Sequence, residues 1–422
     1  MKIVLIIPPS PFLGEQKRNS PLGVMYIASF LKKYGYDIEM VDLRDLDEDR
    51  WTKIIPCADI YGITATTPEY PLVVKIAHNL KLRNQKSLIV LGGNHATTNS
   101  KNLDSVFDRI VLGEGELSML NLLKDFEKGV SKKYYVSPLI EDLDSLPFPA
   151  RHLLPFNSVF NNKLCINGKI ATSIIASRGC PFNCSFCASK SIWGRRPRFR
   201  SPDNVVSEIK EIIERYNVYY FRFHDDTIAA NRNWLFELCE KMKPLNIHWR
   251  ANTRVNCSQK DVLEAMYRAG CYEIDYGIES VSEKVLKINN KQIKVEDIYV
   301  ATRNAKEVGL KIRLFLMIGL PGQGKDESKN MIKFIEEIKP DGVDLSTFVP
   351  FPGCDIYTNP SKYNIRILNK NFSSYVLALG LYGDEAKKDF IYEHDILTNE
   401  ELKQARLEIL EYIKAYNLTL NK

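Results

Sequence analysis

The sequence predicts an α/β protein in two parts: a doubly wound parallel sheet, then a barrel of β/α units closed by a small helical tail. Two patterns carry that expectation. Short apolar runs alternate with helix-like stretches through the first 115 residues, and strand–helix units of roughly 25–45 residues recur between positions 166 and 355. A third observation, three cysteines within eight residues at 180–187, puts chemistry at the start of the second part.

In the front part the runs Ile3–Ile7, Ile38–Val41, Ile60–Ile63, Leu88–Leu91 and Ile110–Leu112 read as strands. Between the first two, Pro21–Tyr34 reads as a helix, with Val24, Ile27, Leu31 and Tyr34 at three-to-four spacing. Short buried strands alternating with helices imply a parallel sheet covered on both faces, and such sheets bind ligands at the carboxyl ends of their strands. Those ends carry Pro8-Pro9, Thr64-Ala-Thr66-Thr67, Gly92-Gly93-Asn94-His95 and Gly113-Glu114-Gly115-Glu116. Glycine lets a backbone approach a ligand, and threonine hydroxyls donate and accept hydrogen bonds. Each loop taken alone reads equally well as a turn, and His95 as a satisfied loop histidine. The divisions expected are a first domain over 1–128, a linker over 129–165, a barrel core over 166–355 and a capping segment over 356–422.

Barrel strands are expected at 172–178, 218–224, 247–253, 271–278, 311–318 and 342–348. The helix after the first opens Ser201-Pro202, a cap followed by proline in the first turn, and buries Val205, Ile209, Ile212 or Ile213, and Tyr216. In the tail Asn399–Leu418 reads as an amphipathic helix with Leu402, Ala405, Ile409, Ile413 and Tyr416 on its stripe, a cap over the barrel mouth or its open side.

Composition narrows the function. The 58 basic and 52 acidic residues leave a net charge of +6 with no long basic run, so nucleic acid is not implied. No apolar stretch reaches membrane-spanning length, and Lys2-Ile-Val-Leu-Ile-Ile7 is too short for a signal segment. Nine cysteines, an odd number with three clustered, point to a reducing cytoplasm rather than a disulfide framework.

The run Cys180-Pro-Phe-Asn-Cys184-Ser-Phe-Cys187 follows an expected strand, with Gly179 supplying the turn. Three thiolates so close can hold three irons of a [4Fe–4S] cube and leave the fourth open to bind a small molecule and pass it an electron. A structural zinc site needs a fourth Cys or His nearby, usually in a second pair. The nearest candidates, His152, Cys165 and Cys239, sit at no such spacing.

Cys-x3-Cys-x-aromatic-Cys behind Arg178-Gly179 resembles the radical S-adenosylmethionine (SAM) enzymes. The front loops, with Pro21-Leu-Gly23 and the linker Leu143-Asp-Ser-Leu-Pro-Phe-Pro149, resemble the members of that family that carry a cobalamin-binding domain. The resemblance covers residues 1–355 and implies a Rossmann-like cobalamin-binding-type domain before a partial (β/α)6 TIM-type barrel. It implies that Cys180, Cys184 and Cys187 hold the cluster and that Phe186 packs near adenine. Asp225 or Asp226 would contact the SAM amino group, and Arg254 could hold a carboxylate or pair with a nearby acid. Gly277-Ile-Glu279-Ser280 resembles the ribose motif, Arg313 and Ile318-Gly319-Leu-Pro-Gly322 the adenine-contact strand, and Phe348 a further apolar wall. An acid inside the apolar run at Glu279 requires a partner. Thr64, Thr66, Gly92, Gly93 and His95, with Gly113 and Glu114, become candidates to surround cobalamin. Asp-x-His-x-x-Gly is missing, and neither His78 nor His95 stands in such a frame, so no residue is assigned to cobalt.

The reaction implied is reductive SAM cleavage to a 5′-deoxyadenosyl radical, followed by methylation of an unactivated carbon from methylcobalamin. The substrate would be a small molecule, and electrons would come from flavodoxin or ferredoxin. Cobalamin-dependent cyclisation, rearrangement or oxidation without methyl transfer shares the same first half, and a radical SAM oxidoreductase with a cobalamin-free front domain is a third reading. Methylthiotransferases are disfavoured because residues 1–150 hold only Cys57, and auxiliary clusters because only Cys354 follows residue 271.

Overall fold

The computed structural model describes residues 1–163, 168–369, 371–379 and 388–418. Cys165 and part of the aromatic-rich stretch 357–389 therefore lie outside the described residues. The chain divides into two compact units, Met1–Leu164 with Ser191–Trp193, and Cys165–Lys190 with Gly194–Lys422.

The first unit is a parallel sheet of β1 (Ile3–Ile7), β2 (Ile38–Asp42), β3 (Ile60–Thr64), β4 (Leu88–Gly92), β5 (Arg109–Leu112) and β6 (Tyr134–Val136) in the order 2-1-3-4-5-6. All five residues of β1 are buried, which is why it reads as an unbroken apolar run rather than an alternation. Strand order reverses between β1 and β3, where Ile3 is in register with both Ile38 and Ile60. The loops after these strands meet there: Ser10 Oγ donates to the Glu69 carboxylate, which also accepts from the Thr66 amide at 2.8 Å.

β6 was not expected. Its side chains run exposed, buried, exposed, and three residues are too few to show a period. It lies in the stretch read as linker, and that stretch packs onto the first unit. Arg44 grips Asp42 with two hydrogen bonds of 2.8 Å and reaches the carbonyls of Asn19 (2.8 Å) and Ser158 (3.0 Å). Ser20 donates to the Val159 carbonyl at 2.8 Å, and the Ala150 amide to that of Met25 at 3.1 Å.

The second unit holds β7 (Ala171–Ile174), β8 (Ser177–Arg178), β9 (Arg198–Phe199), β10 (Tyr220–Phe223), β11 (His248–Thr253), β12 (Cys271–Glu279), β13 (Lys311–Ile318) and β14 (Gly342–Thr347). Six of them form a parallel sheet in the order 14-13-12-11-10-7, so sequential strands are neighbours and all carboxyl ends share one rim. The single strand expected at 172–178 is interrupted: β8 leaves the sheet and pairs antiparallel with β9, Ser177 opposite Phe199. Ser201 caps Pro202–Tyr216 as expected, accepting from the Asn204 amide, and Val205, Ile209 and Ile212 are buried.

Alternation along the strands separates two faces. Phe221, Phe223, Trp249, Ile274, Tyr276, Ile312, Leu314 and Val343 are fully buried on the apolar face. The opposite face carries Arg222, Arg250, Glu273, Asp275, Arg313 and Asp344. Glu273 Oε1 accepts from Arg250 Nη1 at 2.6 Å and Arg313 Nε at 3.3 Å, and Arg222 lies 3.6 Å from Asp275.

In the tail β15 (Arg366–Ile367) pairs antiparallel with β16 (Tyr392–Glu393). The last helix, Asn399–Ala415, starts with a Thr398–Glu401 capping box and buries Leu402, Ala405, Ile409 and Ile413. Tyr416 falls beyond its end and is 62% exposed, so the stripe expected to include it is one turn shorter. This helix packs against Glu327–Ile338, β13 and β14. Among the described residues no helix is long and apolar enough to cross a membrane.

Removing Glu273 would take from Arg250 the acid it bonds at 2.6 Å and leave Arg313 only Asp344, at 3.9 Å. Glu273→Ala is expected to destabilise the second unit by about 3–5 kcal/mol, measured by urea unfolding.

Candidate functional site

The cysteine loop leaves β8 through Gly179, at φ +98°. It is stitched to every neighbouring strand end. Asn289 accepts from the Ser185 amide through its carbonyl (3.0 Å), and Asn290 Nδ2 donates to the Asn183 carbonyl (2.7 Å). The Ile356 amide, beyond β14, donates to the Ser185 carbonyl at 3.1 Å. Arg254, just after β11, stacks its guanidinium 3.8 Å from the Phe182 ring centre and donates from Nη1 to Cys184 Sγ at 3.4 Å. Its other arm reaches the Lys291 carbonyl. Within the chain the partners of Arg254 are a sulfur, a ring, a carbonyl and Asn256 Oδ1 at 3.4 Å, and none of them is an acid.

Cys184 is buried, Cys180 half-buried and Cys187 exposed as a residue. Protein atoms still crowd the Cys187 thiol. That desolvation, then the like charges of Cys184, Asp226 and Cys180, pushes it up to about 12. Burial, chiefly, also raises the Cys180 thiol. Cys180 and Cys187 therefore resist ionising unless cations neutralise them, the behaviour of ligands suited to a highly charged metal group. Each thiolate of an iron–sulfur cube serves a different iron, so the three need not converge on one point. Among the described residues no three Cys, His, Asp or Glu side chains do.

The Asp225-Asp226 pair divides. Asp225 is 1% exposed and accepts from Ser177 Oγ at 2.5 Å and the Ala176 amide at 3.3 Å, so it ties the end of β10 to the start of β8. Burial pushes its carboxyl up to about 6, against the pull of those bonds. Asp226 accepts from Ser189 Oγ at 2.5 Å, two residues past Cys187, and belongs to the loop. The Thr227 side chain makes no cap bond to the short turn Ile228–Ala230; its hydroxyl lies 3.9 Å from Cys180 Sγ, and Asn231 caps the helix Arg232–Met242.

Glu279 ends β12 at φ +65°, a left-handed conformation costing on the order of 1–3 kcal/mol for a non-glycine residue. The partner its burial demands is Lys291, whose Nζ lies 2.9 Å from Oε1 and 5.6 Å from the Phe186 ring centre. Lys291 was missed from the sequence, although the need for a partner was legible. Ser280 turns inward and donates to Glu327 at 2.6 Å. Gly319 and Phe348 reach the same rim, whereas Arg313 sits lower, in the ion network of the opposite face.

In the first unit Thr64 is in register with Gly92, and Thr66 is exposed. Gly93, at φ +89°, has its missing side chain filled by its own fold: a Cβ there would meet Thr64 Oγ1 at 2.5 Å. Gly113, at φ +69°, faces open space instead. His95 is fully buried, stacked 4.1 Å from Tyr70 and 3.1 Å from Thr67 Oγ1, and burial pushes it down to about 4. Glu114 is also buried and accepts from the Ile140 amide at 2.6 Å. At the rim Thr66 is exposed, whereas the Gly92 carbonyl accepts from the Ala65 amide at 3.1 Å and the Gly113 amide donates to Thr97 Oγ1 at 3.0 Å. His78 is turned to Asp104 at 3.5 Å.

Because Asp225 is held above its usual value near 3.8, its ionised form is disfavoured in the fold. Its contribution to stability is full below pH 4 and is lost as pH rises to about 6. Asp225→Asn is expected to remove that slope, read from urea midpoints between pH 4 and 7.

A family model of the B12 binding domain matches residues 17–123, and one of the radical SAM superfamily matches residues 174–335. The chain is 31% identical over 405 residues to an uncharacterized methyltransferase of Pyrococcus horikoshii, across 89% of this chain and 86% of the relative. It is 29% identical over 368 residues to the anaerobic magnesium-protoporphyrin IX monomethyl ester cyclase of Rubrivivax gelatinosus, across 80% of this chain and 65% of that one. The radical S-adenosylmethionine methyltransferase TsrM of Kitasatospora setae, solved with cobalamin and a [4Fe-4S] cluster, shares the fold at a TM-score of 0.67 and 15% identity, over 85% of this chain and 78% of that one. With the thiol loop, the in-order parallel barrel and the doubly wound front unit in place, the chain belongs to the radical SAM superfamily, among the members that carry a B12-binding domain.

Proposed function

We propose that this enzyme is a cobalamin-dependent radical SAM methyltransferase that methylates an unactivated carbon of a small-molecule or natural-product precursor. The observation that carries the reading is the preformed three-thiol loop with the Arg254 guanidinium on Cys184, in a chain that also holds a B12-binding domain. When bound, the cluster and SAM supply reductive cleavage to a carbon radical, and cobalamin supplies the methyl group.

The chain's own residues bind and orient. Cys180, Cys184 and Cys187 hold the cluster, and Arg254 fixes the middle thiol. Asp226, steadied by Ser189, accepts hydrogen bonds from the SAM ammonium. Glu279, hydrogen-bonded by Lys291 at 2.9 Å, receives the ribose hydroxyls. Gly319 and Phe348 form an apolar adenine wall that excludes water. In the front unit Thr64, Thr66, Gly92 and Gly113 line the cobalamin tail, and Gly93, His95 and Glu114 hold their loops in shape. Low-potential electrons come from flavodoxin or ferredoxin in a reducing cytoplasm. The match to a cyclase favours one second reading, ring closure with the same cofactors, which adds no methyl to the product.

Cys184→Ala is expected to abolish SAM cleavage while leaving corrinoid affinity nearly unchanged, measured by 5′-deoxyadenosine release and corrinoid uptake in anaerobic protein. A product without a methyl mass gain would move the assignment to ring closure. Arg254→Gln removes a cation and a donor from a cluster sulfur. The cluster potential is expected to fall by about 60 mV, the one-electron equivalent of about 1.4 kcal/mol, in an EPR-monitored redox titration.

A further inference from the structure

The turn Gly319–Gly322 leaves β13 at the rim, and side chains or backbone from other segments hold its polar backbone groups. Gln323 Oε1 accepts from the Gly319 amide at 2.6 Å and the Leu320 amide at 3.0 Å. Asn289 Nδ2 donates to the Pro321 carbonyl at 2.9 Å. The Gln323 amide donates to the Leu320 carbonyl at 3.2 Å, and further bonds come from the tail. Tyr392 Oη donates to the Gly319 carbonyl at 2.6 Å, His394 Nε2 donates to the Leu320 carbonyl at 2.9 Å, and Asp395 Oδ1 accepts from the Gly322 amide at 3.3 Å.

These are built contacts. Gly319 stands at φ +94°, and a Cβ there would lie 2.3 Å from Tyr392 Oη and 2.8 Å from the Phe390 ring. Only glycine admits the tail so closely. Tyr392 is 2% exposed, and its ring meets Phe348 at 5.4 Å and Phe390 at 5.8 Å. One tail residue thus touches both segments assigned to adenine. The His394 ring is held at both nitrogens: Nε2 faces the Leu320 carbonyl, and Nδ1 lies 3.1 Å from the amides of Ile396 and Leu397 and from Asp395 Oδ1.

We infer that the tail segment Phe390–Asp395 is a positioning clamp for the adenosine half of SAM, setting the Gly319–Gly322 turn against Phe348 through Tyr392 and His394. The clamp rests on the adenine assignment proposed above. Tyr392 and His394 act through the turn and touch no reacting atom. Their loss should therefore weaken nucleoside binding and spare the cluster and the corrinoid.

The test is calorimetric titration of the anaerobic, cluster-loaded full chain with S-adenosylhomocysteine, alongside iron and sulfide content and KM for SAM. Tyr392→Phe deletes one hydroxyl and should weaken S-adenosylhomocysteine five- to tenfold, the loss of about 1 kcal/mol of hydrogen bonding. KM for SAM should rise by a like factor, with kcat at saturating SAM, iron content and corrinoid uptake held. His394→Ala should do the same. Arg366→Ala breaks only the exposed Arg366–Glu393 pair of the same ribbon and should leave affinity within twofold of the parent. Parental affinity in both Tyr392→Phe and His394→Ala would overturn the clamp alone. Weakening accompanied by lost iron would overturn it too, by making the ribbon a general brace. A parent chain that binds no S-adenosylhomocysteine would overturn the adenine assignment and the clamp with it.

Discussion

Three cysteines on one short loop must be held ready for a cluster, and fixing that loop is the constraint around which the second unit is arranged. Burial above all pushes the Cys187 thiol up to about 12 and raises that of Cys180 as well, so neither ionises readily without cations beside it. A loop with that character must be kept in place by its surroundings. Asn289 and Asn290 after β12, Arg254 after β11, Ile356 after β14 and Asp226 after β10 all reach it. They can do so because the strands are parallel and in chain order, which delivers every carboxyl end to the same rim. Topology supplies the convergence, and short polar side chains convert it into a fixed loop.

Below that rim the sheet separates two environments. The apolar face is sealed under helices, whereas the opposite face carries arginines and acids whose desolvation only close pairing offsets. Glu273 serves Arg250 and Arg313 at once, and Asp275 lies among the same cations. A polar interior of this kind gives an apolar ligand nothing to dissolve into. Apolar groups lie instead at the strand ends, with Phe348 just after β14 and the Gly319 turn just after β13.

Much of this was legible in sequence for identifiable reasons. β1 reads as a strand because both its faces are buried, and β13 falls on the expected residues 311–318 because its apolar face alternates with Arg313 and Lys311. The break between β7 and β8 was not legible. Ser177-Arg178 continues the apolar-to-polar drift of the run, and only its pairing with Arg198-Phe199 turns it aside. β6 was hidden by its length, and the packing of residues 140–160 onto the first unit by the remoteness of Arg44, which holds Ser158 across 114 positions. In the site the cysteine spacing gave the chemistry directly. The division of labour between Asp225 and Asp226 was hidden, since adjacent acids look alike until Ser177 and Ser189 choose between them. Lys291 was half legible: an acid in an apolar strand demanded a cation, but nothing local to Glu279 identified one twelve residues onward.

That pair also explains why a strained residue survives at the end of β12. Glu279 at φ +65° is a standing penalty of roughly 1–3 kcal/mol that glycine at the same position would avoid. The register with β13 shifts at this point, so the sheet makes no demand for the conformation. What over-determines it is polar: Lys291 on the carboxylate, and Ser280 held by Glu327 on the next residue. Glu327 in turn accepts from Gln323 at 3.3 Å, the residue that holds the amides of Gly319 and Leu320. The strained end of β12 and the Gly319–Gly322 turn are thus tied to one buried acid, Glu327, which bonds Ser280 beside the first and Gln323 beside the second, so the two turns are set together.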